Sequence, residues 1–504
     1  MQKTPVILVR SLKFERGGIT RASIKRANML AQKYKKVYIV TILFQQFHND
    51  IISNLYKNGV LDKKVQVLNF FEYYKANHKK LFLRKQVQHK VNEKGFEVVQ
   101  INQEEFTGYR YYEEGFYRKY KRYDDLGRLI LIDHMDDAGN RIKREYYDED
   151  EYLTRINFYN AHTKKIHFEQ YFDKSGKCFL SVDIGYQPKR KENFSVYFGG
   201  KVESFATLYE MQKKWLGKVL KTMANPIVFS EMRRLDNMLL SVKHKSIKKV
   251  AVVHANHLAS PYENYLNIDK SYENLFRKIG QFDKVVLLTK EQKKDIVTKV
   301  GKTDYFTVIP HAHEPLSIKN NKISTQRRNN VAVALTRYHP DKRLTESIEA
   351  FKQVVQKIPE AKLEIYGYGP SENELQNLIK KLGLENNVFL KGFSSKPKET
   401  YSSAACSLLT SIREGFGMVI TESMAMGTPV VAYDFKYGPR DIIEDNVNGF
   451  LVENGNQEQL AERIISIMTN DELRDKLSKN ALEVREKFSE KKYMQNWIDL
   501  IESL

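Results

Sequence analysis

The sequence predicts an α/β protein with two lobes built on parallel sheets and an antiparallel β-rich domain inserted into the first lobe. Short apolar runs alternate with helical periodicity in both the N-terminal and C-terminal parts, which is typical of parallel βα units. Between these parts, aromatic residues and acidic turns recur every twelve residues, as expected of antiparallel strands. With 504 residues, the chain is also too long for one hydrophobic core.

These patterns predict the domain boundaries. The first lobe is expected at residues 1–80 and 205–315, the inserted β-repeat domain at 81–204, the C-terminal lobe at 316–486, and a final helix that crosses back to the first lobe at 487–504. Residues 315–328 are polar and rich in helix breakers, so they are predicted to link the lobes.

The composition, with 41% hydrophobic and 29% charged residues, is that of a globular protein. A net charge of +21 predicts attraction to nucleic acid, an anionic membrane surface or an anionic polymer, unless it serves solubility alone. Cys178 and Cys406 suggest neither a disulfide framework nor a zinc site, which fits a reducing cytoplasm. No apolar run approaches the roughly 20 residues that span a bilayer, so any membrane contact is expected to be peripheral.

The first lobe opens with a predicted βαβ unit, in which residues 6–9 and 37–43 are strands and residues 21–34 a helix. Gly17 and Gly18 lie at the strand-to-helix turn, where glycine lets a ligand approach the backbone. The full G-x-G-x-x-G spacing is absent, so a nicotinamide or flavin cofactor is not supported.

The insert is built on a repeat of an aromatic residue, an acidic turn that often ends in glycine, and an alternating run of apolar and polar residues. The repeats begin at Tyr111, Tyr123, Met135, Tyr147 and Tyr159, with Phe172 one residue out of step. This spacing predicts a meandering antiparallel sheet. Such a sheet has edges and aromatic surface, so it is a candidate for self-association.

Two further features of the insert need interpretation. Asp148 and Asp150 superficially match a metal-binding Asp-x-Asp motif, but they fall at a repeat turn, so they are predicted to be turn residues. Basic residues near the start of the insert can follow a phosphate polymer or form an ordinary solvated face, and the sequence leaves both open. These residues are Lys79, Lys80, Arg84, Lys85, Arg110, Arg118, Lys119, Lys121 and Arg122.

The first lobe then resumes and supplies two candidate histidines. Strands are predicted at residues 225–229, 247–253, 283–288 and 305–309, after a helix at 208–222. His254 and His257 follow the strand at 247–253, and a side chain at this end of a parallel strand projects into the ligand crevice. The sequence does not decide between them. His311 and His313 lack acidic partners for a metal and are interpreted as linker residues.

Two cations mark the start of the C-terminal lobe. Arg337 and Lys342 lie between a predicted strand at 331–335 and a helix at 344–358. A helix dipole disfavours cations at this end, so their presence indicates an anionic ligand. Arginine forks onto phosphate oxygens and lysine acts as a point charge, which suits a diphosphate. Further strands are predicted at 363–366, 388–390 and 405–409, with a helix at 372–382.

The most informative stretch is E-G-F-G-M-V-I-T-E, residues 414–422. Glu414 and Glu422 flank a glycine-rich loop that runs into a helix start, where backbone N–H groups suit a phosphate. The carboxylates would repel phosphate and suit hydroxyls, so the combination predicts a sugar joined to a nucleoside diphosphate. The alternative is a loop carboxylate and an unrelated helix-surface residue. The loop at 434–441 can border the acceptor.

The pattern E-G-F-G-x-x-x-x-E-x-M-A-x-G-x-P-V-V resembles the retaining GT-B glycosyltransferases of family GT4, over most of the C-terminal half and the first thirty residues. The resemblance implies the GT-B fold, two Rossmann-like lobes facing a cleft. It implies catalytic roles for Glu414, Lys342, Arg337 and one of His254 and His257. It implies donor contacts at Gly17, Gly18, Arg337, Lys342, Phe393, Ser394, Glu414, Phe416, Gly417, Met418 and Glu422. No protein nucleophile is evident, and neither a metal nor a cofactor is expected.

The inserted domain resembles one subgroup, the poly(glycerol-phosphate) α-glucosyltransferases and related wall teichoic acid glycosyltransferases, in which the insert is associated with trimers and polymer presentation. The implied reaction is transfer of glucose from UDP-glucose to hydroxyls of a glycerol-phosphate polymer, with retention, in the cytoplasm or peripherally at the inner face of the membrane, and without nucleic acid. The alternatives are UDP-GlcNAc-dependent transfer to teichoic acid or a serine-rich adhesin, and a non-catalytic subunit that presents substrate.

Overall fold

The computed structural model describes residues 2–12, 18–75, 90–103, 106–184, 193–313 and 327–504. The chain divides into two units, Met1–Lys248 and Lys249–Leu504. Within the described ranges, no helix combines the length and the apolar character needed to cross a membrane.

The N-terminal unit contains parallel strands with helices between them. The elements are β1 (Thr4–Val9), α1 (Gly18–Lys33), β2 (Val37–Thr41), α2 (His48–Lys57), β3 (Val65–Asn69) and α3 (Phe70–Lys75). β1 is buried along its whole length and pairs in parallel with β2, which pairs in parallel with β3. The predicted βαβ unit is therefore confirmed, and the turn residue Gly17 lies outside the described residues.

The insert forms one antiparallel sheet of ten strands in strictly sequential order, which confirms the predicted meander. The strands are β4 (Glu97–Gln103), β5 (Phe106–Glu113), β6 (Phe116–Tyr123), β7 (Leu129–Met135), β8 (Arg141–Tyr147), β9 (Leu153–Tyr159), β10 (Ile166–Phe172), β11 (Cys178–Asp183), β12 (Asn193–Phe198) and β13 (Lys201–Phe205).

The twelve-residue repeat has a local physical cause in its turns. In four turns, Oδ1 of the first aspartate accepts a hydrogen bond of 2.8–3.0 Å from the backbone N–H four residues later, and these aspartates are Asp124, Asp136, Asp148 and Asp173. Side-chain oxygens of this kind favour turns over continued strand. Asp150 N–H also donates to Asp148 Oδ1 at 3.1 Å, so the Asp-x-Asp sequence is a turn, as predicted. Among the described residues, no cluster of three or more metal-ligating side chains occurs.

Several of the basic residues of the insert are engaged by carboxylates. Lys121 is 2% exposed, and its ammonium contacts Glu93 and donates to the Lys90 carbonyl at 2.9 Å. Lys119 also pairs with Glu93, and Arg118 pairs with Asp137. The described lysines are therefore better explained as internal ion pairs than as a polymer track. Lys79, Lys80, Arg84 and Lys85 lie outside the described residues.

The remaining elements of this unit are α4 (Leu208–Lys221), β14 (Pro226–Ser230) and α5 (Arg233–Ser241), with β14 parallel to β1. Aromatic packing joins the sheet to the α/β core. The ring of Tyr171 in β10 lies 5.2 Å from that of Phe44 and 5.1 Å from that of Phe71, between ring centroids. Trp215 of α4 packs edge-on against Phe70. The insert thus shares a hydrophobic core with the lobe that carries it.

The C-terminal unit begins with parallel strands β15 (Lys248–Val252), β16 (Lys284–Leu287) and β17 (Phe306–Val308) and helices α6 (Lys270–Arg277) and α7 (Lys290–Val300). A six-stranded parallel sheet follows in the order β20-β19-β18-β21-β22-β23. Its strands are β18 (Arg328–Leu335), β19 (Lys362–Tyr366), β20 (Val388–Leu390), β21 (Ala404–Leu409), β22 (Val430–Tyr433) and β23 (Phe450–Val452). Its helices are α8 (Leu344–Lys357), α9 (Glu372–Leu382), α10 (Pro397–Ser402), α11 (Met418–Ala425), α12 (Pro439–Ile442), α13 (Gln457–Thr469), α14 (Asp471–Ala481), α15 (Val484–Lys487) and α16 (Glu490–Ser503).

A buried ion pair in the N-terminal unit gives a test of its stability. Arg26 of α1 and Glu231 after β14 contact each other with side chains 1% and 0% exposed. Glu231→Ala leaves the guanidinium buried without this partner, so we expect a loss of about 3–5 kcal/mol in the free energy of unfolding. Urea unfolding followed by Trp215 fluorescence in a Trp497→Phe background measures the loss.

The matched control is Glu203→Ala, because Glu203 pairs with Lys214 at 2.9 Å while the two side chains are 47% and 59% exposed. We expect this change to cost less than about 1 kcal/mol. Equal losses in the two variants would contradict the role given to burial.

Candidate functional site

The site lies where the order of the C-terminal sheet changes direction. β18 and β21 are adjacent and parallel, whereas the strands that follow each of them extend to opposite sides. In open α/β sheets, ligands bind beyond the carboxyl ends of the strands at such a switch point. The loop after β18 carries Arg337 and Lys342, and the loop after β21 carries Glu414. The fold therefore brings together the two groups of residues that the sequence predicted separately.

Lys342 and Glu414 form an ion pair across these loops, with side chains 12% and 22% exposed. Ser411 Oγ donates to the same Glu414 oxygen at 3.0 Å. Thr410 Oγ1 donates to the Lys342 carbonyl at 2.9 Å, which fixes the backbone beside the ammonium. A partly desolvated pair of this kind is strengthened by its low-dielectric surroundings. The cation and carboxylate are thus held ready for a ligand that has both negative charge and hydroxyls.

Arg343 is a further cation of this loop, which the sequence interpretation missed. It adopts a left-handed backbone conformation, with φ of 45°, and its guanidinium donates to the carbonyls of Thr410 and Ser411 at 3.0 and 3.1 Å. Its charge is therefore used to tie the two loops together. The available signal was the run Asp341-Lys342-Arg343, which placed a second cation directly beside Lys342.

Arg337 differs from Lys342 and Arg343 in its contacts. The residue is exposed, and in the part of the chain that the structure describes its side chain has no ion-pair partner. Its neighbour Tyr338 is buried and donates from its hydroxyl to the Ile365 carbonyl at 2.8 Å, which anchors the loop. Gly367 allows this anchoring, because a Cβ atom there would lie 1.8 Å from the Thr336 carbonyl oxygen. Arg337 is thus a cation on a fixed loop, available to an anion.

The motif at residues 414–422 forms a loop and a helix start, as predicted. Gly417 has a left-handed φ of 85° at the N-cap of α11, and the Phe416 side chain is 2% exposed. Met418 begins the helix, so its first turn presents backbone N–H groups that lack helical acceptors. Glu422 is half-buried, one turn after this start.

His254 packs against this loop. A Cβ atom on Gly415 would lie 2.0 Å from the His254 carbonyl oxygen, so the two backbones touch beside Glu414. The His254 ring stacks on that of His311 with 5.8 Å between centroids, and His311 meets Phe416 edge-on at 5.9 Å. His311, which the sequence predicted to be a linker residue, thus contributes its ring to the packing around the loop.

His257 is placed differently from His254. It is 0% exposed, its ring stacks on Tyr437 at 5.6 Å, and its Nδ1 lies 3.4 Å from Gln292 Nε2. Burial lowers the pKa of His257 to about 4, so the imidazole is neutral near pH 7. Of the two candidates, His254 is partly exposed, whereas His257 is buried.

Two exposed aromatic residues stand beyond the neighbouring strands. Phe393 is 77% exposed and Tyr368 is 64% exposed, and their ring centroids are 6.5 Å apart. Exposed aromatic rings offer apolar faces on which an aromatic ligand can pack. Ser394 Oγ lies 3.1 Å from Thr400 Oγ1 within the adjoining turn. The family resemblance pointed to Phe393 and Ser394, whereas no motif of the sequence pointed to Tyr368.

Gly18 is the only predicted donor-site residue that the structure describes in the N-terminal unit. It begins α1, and a Cβ atom placed on it would meet no atom of the described residues within 4 Å. Gly17 lies outside the described residues.

The contact between Gly415 and His254 gives a test of the site geometry. Gly415→Ala places a methyl group against a backbone oxygen, which cannot move away as a flexible side chain can. We therefore expect the free energy of unfolding to fall by about 1–3 kcal/mol or more. Scanning calorimetry measures the shift of the unfolding transition. Gly217→Ala in α4 is the control, because the nearest atom to its Cβ is a Val242 methyl at 3.7 Å. Equal stability of the two variants would show that the backbones are not in contact.

Comparison with known proteins identifies similar sequences and a similar fold. Residues 317–484 match the family described as Glycosyl transferases group 1. The chain is 27% identical to the poly(glycerol-phosphate) alpha-glucosyltransferase of Bacillus subtilis over 502 residues, which covers 95% of this chain and 72% of that protein. It is 26% identical to the poly(ribitol-phosphate) alpha-N-acetylglucosaminyltransferase of Staphylococcus aureus, over 99% of both chains.

A solved structure is similar over the same length. It is a mutant of TarM from S. aureus, in complex with fondaparinux, alpha-GlcNAc-glycerol and UDP. The match has a TM-score of 0.83 and 26% identity, and it covers 99% of this chain and 100% of that chain. The predicted fold class is confirmed. The chain is therefore a glycosyltransferase that has the GT-B fold, carries a group 1 domain, and is homologous to the poly(glycerol-phosphate) alpha-glucosyltransferase and to TarM.

Proposed function

We propose that this enzyme transfers glucose from UDP-glucose to hydroxyls of a poly(glycerol-phosphate) teichoic acid, with retention of the α configuration, as a member of family GT4. The observation that carries the proposal is the Lys342–Glu414 pair at the switch point of the sheet. It supplies positive charge for a diphosphate and a carboxylate for sugar hydroxyls within one site. The similarity to the Bacillus enzyme along 95% of the chain supports the choice of acceptor and sugar.

The cations act on the leaving group. Transfer of a sugar from a nucleotide donor develops negative charge on the departing diphosphate, and preorganised positive groups stabilise it. Lys342 is held by the loops on both sides, so little reorganisation is needed when a phosphate approaches. Arg337, exposed on the same loop, adds a forked contact to phosphate oxygens.

The carboxylates and His254 act on the sugar and ribose. Glu414 accepts hydrogen bonds from hydroxyls of the transferred glucose, and Glu422 accepts them from the ribose. His254 lies beside Glu414 and contacts the glucose or the acceptor. The remaining donor contacts are assigned to backbone at Gly17, Gly18, Phe416, Gly417 and Met418, and to the nucleobase turn at Phe393 and Ser394.

Front-face attack accounts for retention without a protein nucleophile. The acceptor hydroxyl attacks the anomeric carbon from the side that the diphosphate leaves, and the leaving phosphate takes the hydroxyl proton. We propose that no metal takes part, because Arg337, Lys342 and the start of α11 supply the positive charge that a cation would provide.

A second candidate is transfer of N-acetylglucosamine from UDP-GlcNAc to a teichoic acid. It is favoured by the relative from S. aureus, which is named for poly(ribitol-phosphate) and N-acetylglucosamine and aligns over 99% of both chains. Glucose and N-acetylglucosamine differ at one substituent, so the same cations and carboxylates serve either sugar. Transfer to a serine-rich adhesin is a third acceptor class for the same donor chemistry.

For assembly and location, we propose that the antiparallel sheet mediates a homotrimer and that the enzyme works in the cytoplasm, against the inner face of the membrane. The ten-stranded sheet ends in two edge strands, β4 and β13, which can pair or pack with other chains. The net charge of +21 supports attraction to anionic lipids and to the polymer. Light scattering during size-exclusion chromatography measures the oligomeric state.

A panel of donors and acceptors tests the reaction. We expect transfer of radiolabelled glucose from UDP-glucose to poly(glycerol-phosphate), with slower transfer from UDP-GlcNAc and to poly(ribitol-phosphate) or an unglycosylated adhesin. Nuclear magnetic resonance of the product gives the anomeric configuration. Faster transfer of N-acetylglucosamine would replace the proposed sugar, and a β-linked product would overturn retention.

Lys342→Ala tests the role of the loop cation. We expect the turnover number to fall by about 10²–10³-fold, because one preorganised electrostatic contact to the leaving group is lost. Lys357→Ala is the matched control, since Lys357 is exposed at the end of α8. Steady-state kinetics with saturating donor compares the variants. Turnover of Lys342→Ala within about threefold of the control would contradict the assignment.

A further inference from the structure

Residues 436–438, between β22 and α12, touch both predicted catalytic loops, whereas the sequence predicted only that the loop at 434–441 borders the acceptor. We refer to Lys436, Tyr437 and Gly438 as the bridging segment. Tyr437 is 0% exposed, so its side chain is placed for packing and not for contact with solvent.

The bridging segment first holds the turn that carries His254. Asn256 Nδ2 donates to the Lys436 carbonyl at 2.7 Å. One residue further along the same turn, the His257 ring lies nearly parallel to the Tyr437 ring, at 8° and 5.6 Å. A hydrogen bond and a stacked pair thus fix this turn at two neighbouring positions.

The bridging segment also holds the loop that carries Glu414. Tyr437 N–H points to the Glu414 carbonyl at 3.4 Å. A Cβ atom on Gly438 would lie 2.0 Å from the Phe416 carbonyl oxygen, so the segment and the loop touch backbone to backbone. Together with the contact of Gly415 on His254, this closes a ring of contacts around the two residues placed at the transferred sugar.

Asp295 of α7 anchors the segment from behind. Its carboxylate accepts a hydrogen bond of 2.9 Å from the Tyr437 hydroxyl and contacts the Lys436 ammonium. The residue is 9% exposed, and a carboxylate at that depth is stable only when it is paired. Asp441 joins the same loop to the start of α7, since its Oδ1 accepts from Lys290 N–H at 2.6 Å. Two points of the loop are therefore fixed to one helix.

We propose that Asp295 and Tyr437 are positioning residues of the transfer reaction. Neither is placed at the substrate. They hold the bridging segment, and the segment sets the position of His254 relative to Glu414. A misplacement of about 1 Å at a reacting centre costs on the order of 10²-fold in rate. This inference rests on the proposed function, which assigns His254 and Glu414 to the transferred sugar.

The test uses Tyr437→Phe and Asp295→Asn in the full-length enzyme. Tyr437→Phe keeps the ring that stacks on His257 and removes only the hydroxyl. Tyr56→Phe is the matched control, because the Tyr56 hydroxyl donates to the Val65 carbonyl at 2.7 Å within the N-terminal unit. Isothermal titration calorimetry with UDP gives the number of folded binding sites. Turnover is then expressed per binding site.

We expect both variants to bind UDP within about threefold of the wild-type affinity and to lose about tenfold or more in turnover per site. The ratio of donor hydrolysis to transfer is expected to rise several-fold, because a loosely held centre discriminates less between water and the acceptor. This ratio does not depend on the folded fraction, so a merely structural defect leaves it unchanged. Tyr56→Phe is expected to match the wild type in both quantities.

Amide hydrogen exchange gives a second measurement. We expect faster exchange in Tyr437→Phe at residues 436–438 and at the two loops that they hold, residues 254–257 and 411–417, with wild-type rates elsewhere. Wild-type turnover and hydrolysis ratio in both variants would overturn the inference, as would lost turnover without faster exchange at the two loops. A wild-type enzyme that prefers another donor or acceptor would contradict only the proposed function, and the ratio is then measured with the preferred pair.

Discussion

The site depends on an attraction between two charges that lie 72 residues apart in the chain, the Lys342 ammonium and the Glu414 carboxylate. A half-buried pair loses hydration, so it is favourable only where neighbouring groups hold both partners in place. Here Ser411 holds the carboxylate and Thr410 holds the backbone of Lys342. The loops after two adjacent strands are consequently bonded to each other, and electrostatic catalysis requires charged groups that are held in place before the reaction.

A second constraint is the close approach of backbones, which three glycines permit. Gly367 lies against the loop of Arg337, Gly415 against His254, and Gly438 against Phe416, each at a distance that no Cβ atom tolerates. Side chains at these points would separate the loops by more than an ångström. The positions of the charged groups thus depend on glycine at these three points as well as on the charged groups themselves.

The sequence predicted those features that a local pattern encodes. The turns of the insert follow from an aspartate whose carboxylate accepts a hydrogen bond from the backbone N–H four residues later, so the repeat alone identified them. The Glu414 loop was also predictable, because its glycines and the following helix are adjacent in the chain. The anchoring by Asp295 and Tyr437 was not, since it joins residues 142 apart and has no periodic signal. The burial of Lys121 was missed for a similar reason, because its acidic partner Glu93 lies outside the repeat.

The meander restricts how the insert can change its length during evolution. Successive turns of an antiparallel sheet lie at alternate ends of the strands, so Asp124, Asp148 and Asp173 share one end while Asp136 lies at the other. Duplication of a single twelve-residue repeat would reverse the direction of every later strand. The chain would then leave the sheet at the end opposite to the one from which it now returns to the lobe. Duplication of two repeats would preserve the return point and cost little in folding rate, because each added hairpin closes through local contacts. Homologues of different insert length are therefore expected to differ by steps of two strands.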